Sequence, residues 1–314
     1  MSGPPQGLSP HCCVLLLVIA LVSIGSSGCE DHSSSSSHPE KHYLDYQYSS
    51  FSDEKEFYQR SFDFAAAQNV TIGDSCSGPT GIIRWGVVSH HLLIRNLIAT
   101  YFLKLSQRSH PQTIVVCGPN HFARGHTPVA VSLLKWKTPI GMISPDLGLA
   151  QQMIREGLVQ ENEDAFYNEH SIGAVVPFIR YYFPEARIVP IIVKADADSA
   201  ASEHLARFVA RTASKEILFL ASLDFSHYRT SDVAFIQDSL TYSILSKFDV
   251  SDYQEAYVDS HNIFRTILES CKLLGATDIV MIQHTNSGIL ESKPLEPCTS
   301  YMNMVICQSQ VGRN

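Results

Sequence analysis

A chain of 314 residues, 45% of them hydrophobic, is long enough for one large α/β domain or two small ones and can bury a substantial core. The net charge of -8 and pI near 5.9, with no run of Lys and Arg, argue against nucleic acid or an anionic membrane surface as the main partner. A cationic or metal-neutralised ligand suits this charge balance better.

The first 28 residues read as a leader. Cys12 to Ile24 is an apolar run too short to span a bilayer comfortably, and Gly25-Ser26-Ser27-Gly28 supplies small residues for cleavage before Cys29. The segment ahead of it has His11 but no Lys or Arg, and carries Pro4 and Pro5, so a buried or short membrane-anchoring segment is the alternative. Gly28-Cys29 followed by Glu30, Asp31 and Ser33 to Ser37 also resembles the lipidation site of bacterial lipoproteins, with Ser26 where a large aliphatic residue is usual. The expectation is an exported chain, secreted or tethered to a membrane through its N-terminus. Residues 29–52, rich in Ser, His, Tyr and charge, predict a disordered tether. No Cys-x-x-Cys pair suggests structural zinc; Cys76 and Cys298 lie in loop-like sequence where a disulfide could join them, and Cys117 and Cys307 sit in apolar runs as core thiols.

Ser52-Asp53-Glu54 opens a helix to which Phe57, Phe62 and Phe64 supply apolar surface. The pattern then alternates: strand Ile82 to Val88, helix Leu92 to Leu105, strand Thr113 to Cys117, a strand-like run Pro128 to Leu134, and a helix started by Ser144-Pro145-Asp146 with Pro at its first position. Asn168-Glu169-His170-Ser171 precedes a helix ending near Tyr182. Ile188 to Val193 is a strand whose Pro190 demotes it towards an edge or bulge. A helix from Ala200 to Ala213, strand Ile217 to Leu223, helices Ser231 to Lys247 and His261 to Leu274, and strands Asp278 to Gln283 and Tyr301 to Cys307 follow. Such alternation predicts a single α/β domain over residues 53–310, with a largely parallel central sheet flanked by helices.

Four of these strands hand over to a histidine. Ile82 to Val88 leads to Ser89-His90-His91, Ile114 to Cys117 to Gly118-Pro119-Asn120-His121, Ile217 to Leu223 to Asp224-Phe225-Ser226-His227, and Asp278 to Gln283 to His284. Ligands of open α/β sheets bind outside the carboxyl ends of the strands, so histidines placed there would converge. Imidazole with carboxylate suits a divalent transition metal. The candidates are His90 or His91, His121, Glu169, His170, Asp224, His227, Asp259, His261 and His284. A metal-free alternative has Asp224 and His227 orienting each other for acid and base work while Glu169 and His170 cap a helix.

The motifs Ser89-His90-His91, Gly118-Pro119-Asn120-His121, Asn168-Glu169-His170-Ser171 and Ser222-Leu223-Asp224-Phe225-Ser226-His227, in this order over residues 80–305, resemble the Memo family, also called AmmeMemoRadiSam system protein B. That resemblance implies a fold similar to class III extradiol dioxygenases of the LigB type, which hold non-haem Fe(II) with two histidines and one carboxylate. It implies His90 and His121 as metal ligands, with His91 a variable neighbour or substrate contact, and Glu169, His170, Asp224 and His227 as pocket residues. The third ligand departs from the pattern: members related to the human protein have a Cys-Gly pair before a late helix, and here the segment reads Tyr257-Val258-Asp259-Ser260-His261. Asp259 would restore a two-His, one-carboxylate set; His261 is the runner-up, and a helix-capping Asp259 the structural alternative. Exchanging thiolate for carboxylate shifts the preference from Cu or Zn towards Fe(II) or Mn. The function so implied is a metal-dependent, dioxygenase-like redox enzyme acting on a small molecule, with His170 or His227 as acid or base and Glu169 or Asp224 orienting it. The alternatives are a non-catalytic ligand- or peptide-binding signalling protein that keeps the pocket, and a zinc-type hydrolase.

Overall fold

The computed structural model of the chain describes residues 43–45, 55–68 and 81–308. The expected leader, the lipidation site and most of the expected tether lie outside these residues. The described residues cluster as one compact unit.

Four parallel strands form the centre of the sheet. In chain order the elements up to the second of them are β1 (Tyr43–Asp45), α1 (Lys55–Ala67), β2 (Ile82–Val88), α2 (Arg95–Ser106) and β3 (Thr113–Pro119). After β4 (Val129–Val131), β5 (Lys135–Thr138), β6 (Gly141–Ile143), α3 (Leu147–Arg155) and β7 (Gln160–Glu161) come the short α4 (His170–Gly173), α5 (Val176–Tyr182) and β8 (Arg187–Val193). The chain finishes with α6 (Ser199–Thr212), β9 (Ile217–Ser222), β10 (His227–Arg229), α7 (Ser231–Ser246), α8 (His261–Leu274), β11 (Ala276–Asn286), α9 (Ser287–Leu290) and β12 (Cys298–Gln308). The main sheet runs β10-β12-β2-β9-β3-β8-β4-β7, with β11 against β12. Pairings β2·β9, β9·β3 and β3·β8 are parallel, and antiparallel β12 and β4 flank this centre.

The central strands are apolar on both faces because both are covered. Along β3, Ile114 and Val116 pack in one cluster with α1, α2 and α5, whereas Val115 and Cys117 pack in the other with α6 and α8. β9 divides in the same way, Leu218 and Leu220 against Phe219 and Ala221. Between the layers Trp85 is fully buried and its Nε1 donates to Ser270 Oγ on α8 at 2.8 Å.

Several expectations need correction. Tyr43–Asp45, inside the expected tether, is a strand that pairs in parallel with β5; backbone pairing onto an existing edge needs no apolar periodicity. β8 is interior, not an edge: β3 lies on one side and β4 on the other. Its Pro190 is tolerated because β4 stops pairing at Ile191, and the Pro190 carbonyl accepts from Ser132 N at 3.3 Å, so the nitrogen without a proton faces the side where the ladder has ended. Helix α3 starts at Leu147 with Asp146 as its N-cap, which leaves Pro145 before the cap. The helix expected to run to Tyr182 is split into α4 and α5, and Pro177 enters the first turn of the second piece. Cys298 is a buried free thiol while Cys307 is disulfide-bonded, so neither the Cys76–Cys298 pairing nor a free core thiol at Cys307 forms. Among the described residues no helix is long and apolar enough to cross a membrane.

Gly86 on β2 lets helix α2 lie against the sheet. A Cβ there would meet the hydroxyl of the fully buried Tyr101 and come within 2.8 Å of Leu220 Cδ1. Gly86→Ala is expected to destabilise the fold by about 1–3 kcal/mol through overpacking, measured as a lower urea midpoint at unchanged slope.

Candidate metal centre

Three neighbouring strands, β2, β9 and β3, deliver the site. Val87, Ala221 and Cys117 form one row across them. His90 and Asp224 each lie three positions beyond that row and His121 four beyond it, on chains about 4.8 Å apart. The exits are stitched together: Leu223 N donates to Val88 O at 3.0 Å, Ser89 Oγ to Leu223 O at 3.1 Å, and Ser89 N to Asn303 Oδ1 of β12 at 2.9 Å.

His90 is 1% exposed and its protonation pattern follows from its neighbours. Ser222 Oγ gives its proton to the Ser171 carbonyl, so His90 Nδ1, 3.0 Å from that oxygen, is the donor to it. Nε2 therefore carries the lone pair. Burial pushes the imidazole pKa down to about 3 in spite of the nearby Asp259 carboxylate, and the ring is neutral. The Nε2 lone pair faces Asp259 Oδ2 at 3.4 Å and Asp224 Oδ2 at 3.6 Å.

Asp259 comes from the loop before α8 and is locked to the β9 exit. Asp224 N donates to Asp259 Oδ2 at 3.0 Å, and Asp259 N donates to Asp224 O at 3.1 Å. Among the described residues its other oxygen, Oδ1, is buried without a hydrogen-bond partner. Asp259 does not cap α8, because Ser260 does, accepting from Ile263 N. Asp224 Oδ1 accepts from His90 N at 3.2 Å, and burial raises the pKa of this carboxyl.

His121 is held by Glu169. Its backbone N–H donates to Glu169 Oε2 at 2.8 Å and its Nδ1 to Oε1 at 2.9 Å, while Nε2 lies 3.8 Å from Asp259 Oδ2. Burial disfavours the charged ring, but the carboxylates of Asp259 and Glu169 outweigh it and raise the pKa to about 10. Burial likewise opposes the Glu169 charge, yet its bonds to His121 win and lower its pKa. Nε2 of His121 must give up its proton before it can act as a ligand. Glu169 also accepts from Ser171 N and so caps α4, as the metal-free alternative anticipates, but the ring it orients is His121 and not His170, whose Nδ1 is 3.7 Å away. His170 stacks on His121 with centroids 4.2 Å apart; burial, and then the charge of His121, lower its pKa.

The ligand atoms of His90, His121 and His170 lie within 4.8 Å of one another, as do those of His90, Asp224 and Asp259. These donors fit a divalent transition metal. His90 Nε2 and His121 Nε2 lie 3.4 and 3.8 Å from Asp259 Oδ2, separations that match donors sharing one ion through bonds of about 2.0–2.2 Å. The unpartnered Asp259 Oδ1 and the lone pair of His90 aimed at carboxylates are costly without a cation.

Other expected members stay outside. His91 stacks on Tyr301 with centroids 5.8 Å apart. His261 turns away, its Nε2 2.9 Å from the Ala256 carbonyl, beside a cleft lined by Tyr253 and Asn262. His227 opens β10 close enough for its charge to bear on Asp224, yet no hydrogen bond joins the two. His284 lies inside β11, which β12 separates from β2, and it pairs with Asp238. Two contributors carry no sequence signal of their own: Ser222, which sets the His90 tautomer, and Asn303, in the middle of an apolar strand.

A parallel-centred α/β sheet with a histidine and carboxylate cluster at its carboxyl edge defines the class. Residues 88–305 match the family described as Memo-like protein, and the chain belongs to that family. A MEMO1 family protein of Pyrobaculum arsenaticum is 32% identical over 65% of this chain and 76% of its own length. One from Methanosarcina barkeri is 33% identical over 56% and 69%. An uncharacterized Escherichia coli K12 protein of known structure aligns with 70% of this chain and 99% of its own at 14% identity and a TM-score of 0.46.

Gly118 brings β3 against α4: a Cβ would lie 2.6 Å from Ser171 Oγ and 3.1 Å from Ile172 Cδ1. Gly118→Ala is expected to push α4 away, withdraw Glu169 from His121 and weaken Co(II) binding by roughly tenfold or more, read by spectroscopic titration.

Proposed function

We propose that the chain holds one divalent transition metal through His90 Nε2, His121 Nε2 and Asp259, with Asp224 beside it, and carries out metal-dependent, iron-type oxidation of a small molecule. The observation that carries this reading is the convergence of His90 Nε2 and His121 Nε2 on Asp259 Oδ2, whose companion oxygen Oδ1 has no hydrogen-bond partner among the described residues. Two imidazoles and a carboxylate favour Fe(II) or Mn over Cu, and the bound ion would supply redox or Lewis-acid chemistry to a substrate. The chain's own groups divide the remaining work. Ser222 fixes the His90 tautomer, Glu169 orients His121, and His170, kept neutral by burial on the face of His121, takes or gives a proton. His227 flanks Asp224 as a second proton-handling group.

Protein purified without an affinity tag is expected to hold close to one equivalent of metal. His121→Ala and Asp259→Ala should each lower affinity by at least roughly tenfold. A wild-type chain without stoichiometric metal, and indifferent to His121→Ala, overturns the assignment. The nitrogen trio His90, His121 and His170 favours a second reading, a zinc-type hydrolase, in which His170→Ala abolishes binding and Asp259→Ala does not. Oxygen uptake with a panel of catechols and Fe(II) separates turnover from a pocket that only binds ligands.

Export of the chain is part of the proposal, supported by the apolar run Cys12 to Ile24 and by the disulfide on Cys307, a bond that persists in oxidising compartments. Alkylation of the unfolded protein is expected to label Cys117, Cys271 and Cys298 directly and Cys307 only after reduction; direct labelling of Cys307 removes that support.

A further inference from the structure

His284, the fourth strand-end histidine, has its own partner, and the pair leads back to the site. Asp238 sits in the middle of α7 and is 0% exposed. An ionised carboxylate in such a place costs several kcal/mol unless it is fully hydrogen-bonded, and Asp238 collects four donors. Oδ2 accepts from His284 Nε2 at 2.7 Å and from Ser300 Oγ; Oδ1 accepts from Ser226 Oγ at 2.7 Å and Ser226 N at 3.4 Å. His284 reaches this carboxylate from a side chain that is 28% exposed, with Phe235 packed edge-on at 4.9 Å.

Ser226 lies between Asp224 and His227, next to His227, so the carboxylate grips the loop that carries both. The same loop is zipped to β12, Phe225 N donating to Ser300 O at 3.0 Å and Ser300 N to Ser226 O at 2.8 Å. Its other flank is bound to Asp259 through the reciprocal bonds of Asp224. A side chain that flanks a metal from a loop is only as well aimed as the loop is fixed, and groups behind the ligands commonly govern affinity. An apolar residue at position 238 would fill the space between α7 and the sheet, but could not receive the two protons of Ser226.

We propose that Asp238, anchored by His284, is the positioning residue of the metal centre: it clamps Ser226 and thereby sets the direction of Asp224 and His227. This inference rests on the metal reading above, although the clamp itself can be read without metal.

The test uses the full chain. Asp238→Asn keeps the size but replaces one acceptor by an amide. It is expected to accelerate amide exchange across residues 224–227 and to weaken Co(II) binding by roughly tenfold or more, with an altered Co(II) absorption spectrum. The pair His284→Gln and His284→Leu guards against failure of the first variant to fold. Gln retains a donor to Asp238 and should stay near wild type in both readouts, whereas Leu should reproduce the loss. If the melting temperature falls in these variants while exchange at 224–227 and the Co(II) spectrum are unchanged, Asp238 is structural and the proposal is overturned. Equal behaviour of the Gln and Leu variants overturns it as well. Should the wild-type chain bind no Co(II), the metal reading fails by itself, and faster exchange at 224–227 still decides the clamp.

Discussion

The structure depends on a concentration of charge that the sheet cannot neutralise by itself. Two carboxylates, Asp224 and Asp259, stand beside a buried imidazole whose lone pair is turned towards them, and one Asp259 oxygen meets no donor. In a low-dielectric interior such an arrangement costs free energy. Folds tolerate it where a ligand supplies the missing charge, and perturbed titration with convergent donors is the mark of such places. The chain's negative balance and lack of basic runs agree with a cation as that ligand.

Everything around the cluster acts as support for it. The parallel strands set the spacing, and their level ends set the height. Glu169 has three tasks at once, holding the backbone of His121, orienting its ring and capping α4, so that a change there would disturb geometry and electrostatics together. Ser222 passes the hydrogen-bond pattern of α4 on to His90. On the far side, α7 and β12 hold the Asp224 loop through Asp238 and Ser300. The loops that bear the cluster are thus fixed by hydrogen-bonded carboxylates and hydroxyls, while at the centre Asp259 Oδ1 has no partner among the described residues.

Much of this is legible in the residue pattern alone. Apolar runs ending in Ser89-His90-His91 and Gly118-Pro119-Asn120-His121 announce buried parallel strands with polar tips, and α8 spans the expected His261 to Leu274. The mismatches share a cause. His284 resembles His90 in sequence because a one-dimensional pattern does not say which strands are neighbours; β12 stands between β11 and β2, and this histidine serves another carboxylate. Pro190 has the mark of an edge residue because the residue pattern does not say where β4 stops. Cys298 and Cys307 exchange their expected roles because loop-like composition does not tell which thiol has a partner within reach.

By itself, the sequence determined the α/β alternation, the two-sided burial of the central strands and the residue types available to a metal, since each follows from periodicity and side-chain chemistry within a short window. It also narrowed the third ligand to Asp259 or His261. Only the tertiary structure shows which of the two side chains faces the cluster: the hydrogen bonds exchanged by Asp224 and Asp259 turn Asp259 inward, and His261 lies beside Ala256. The strand order β2-β9-β3, in which the last of the three in sequence lies between the other two, brings Asp224 between His90 and His121. That insertion is a long-range pairing, and no local pattern encodes it.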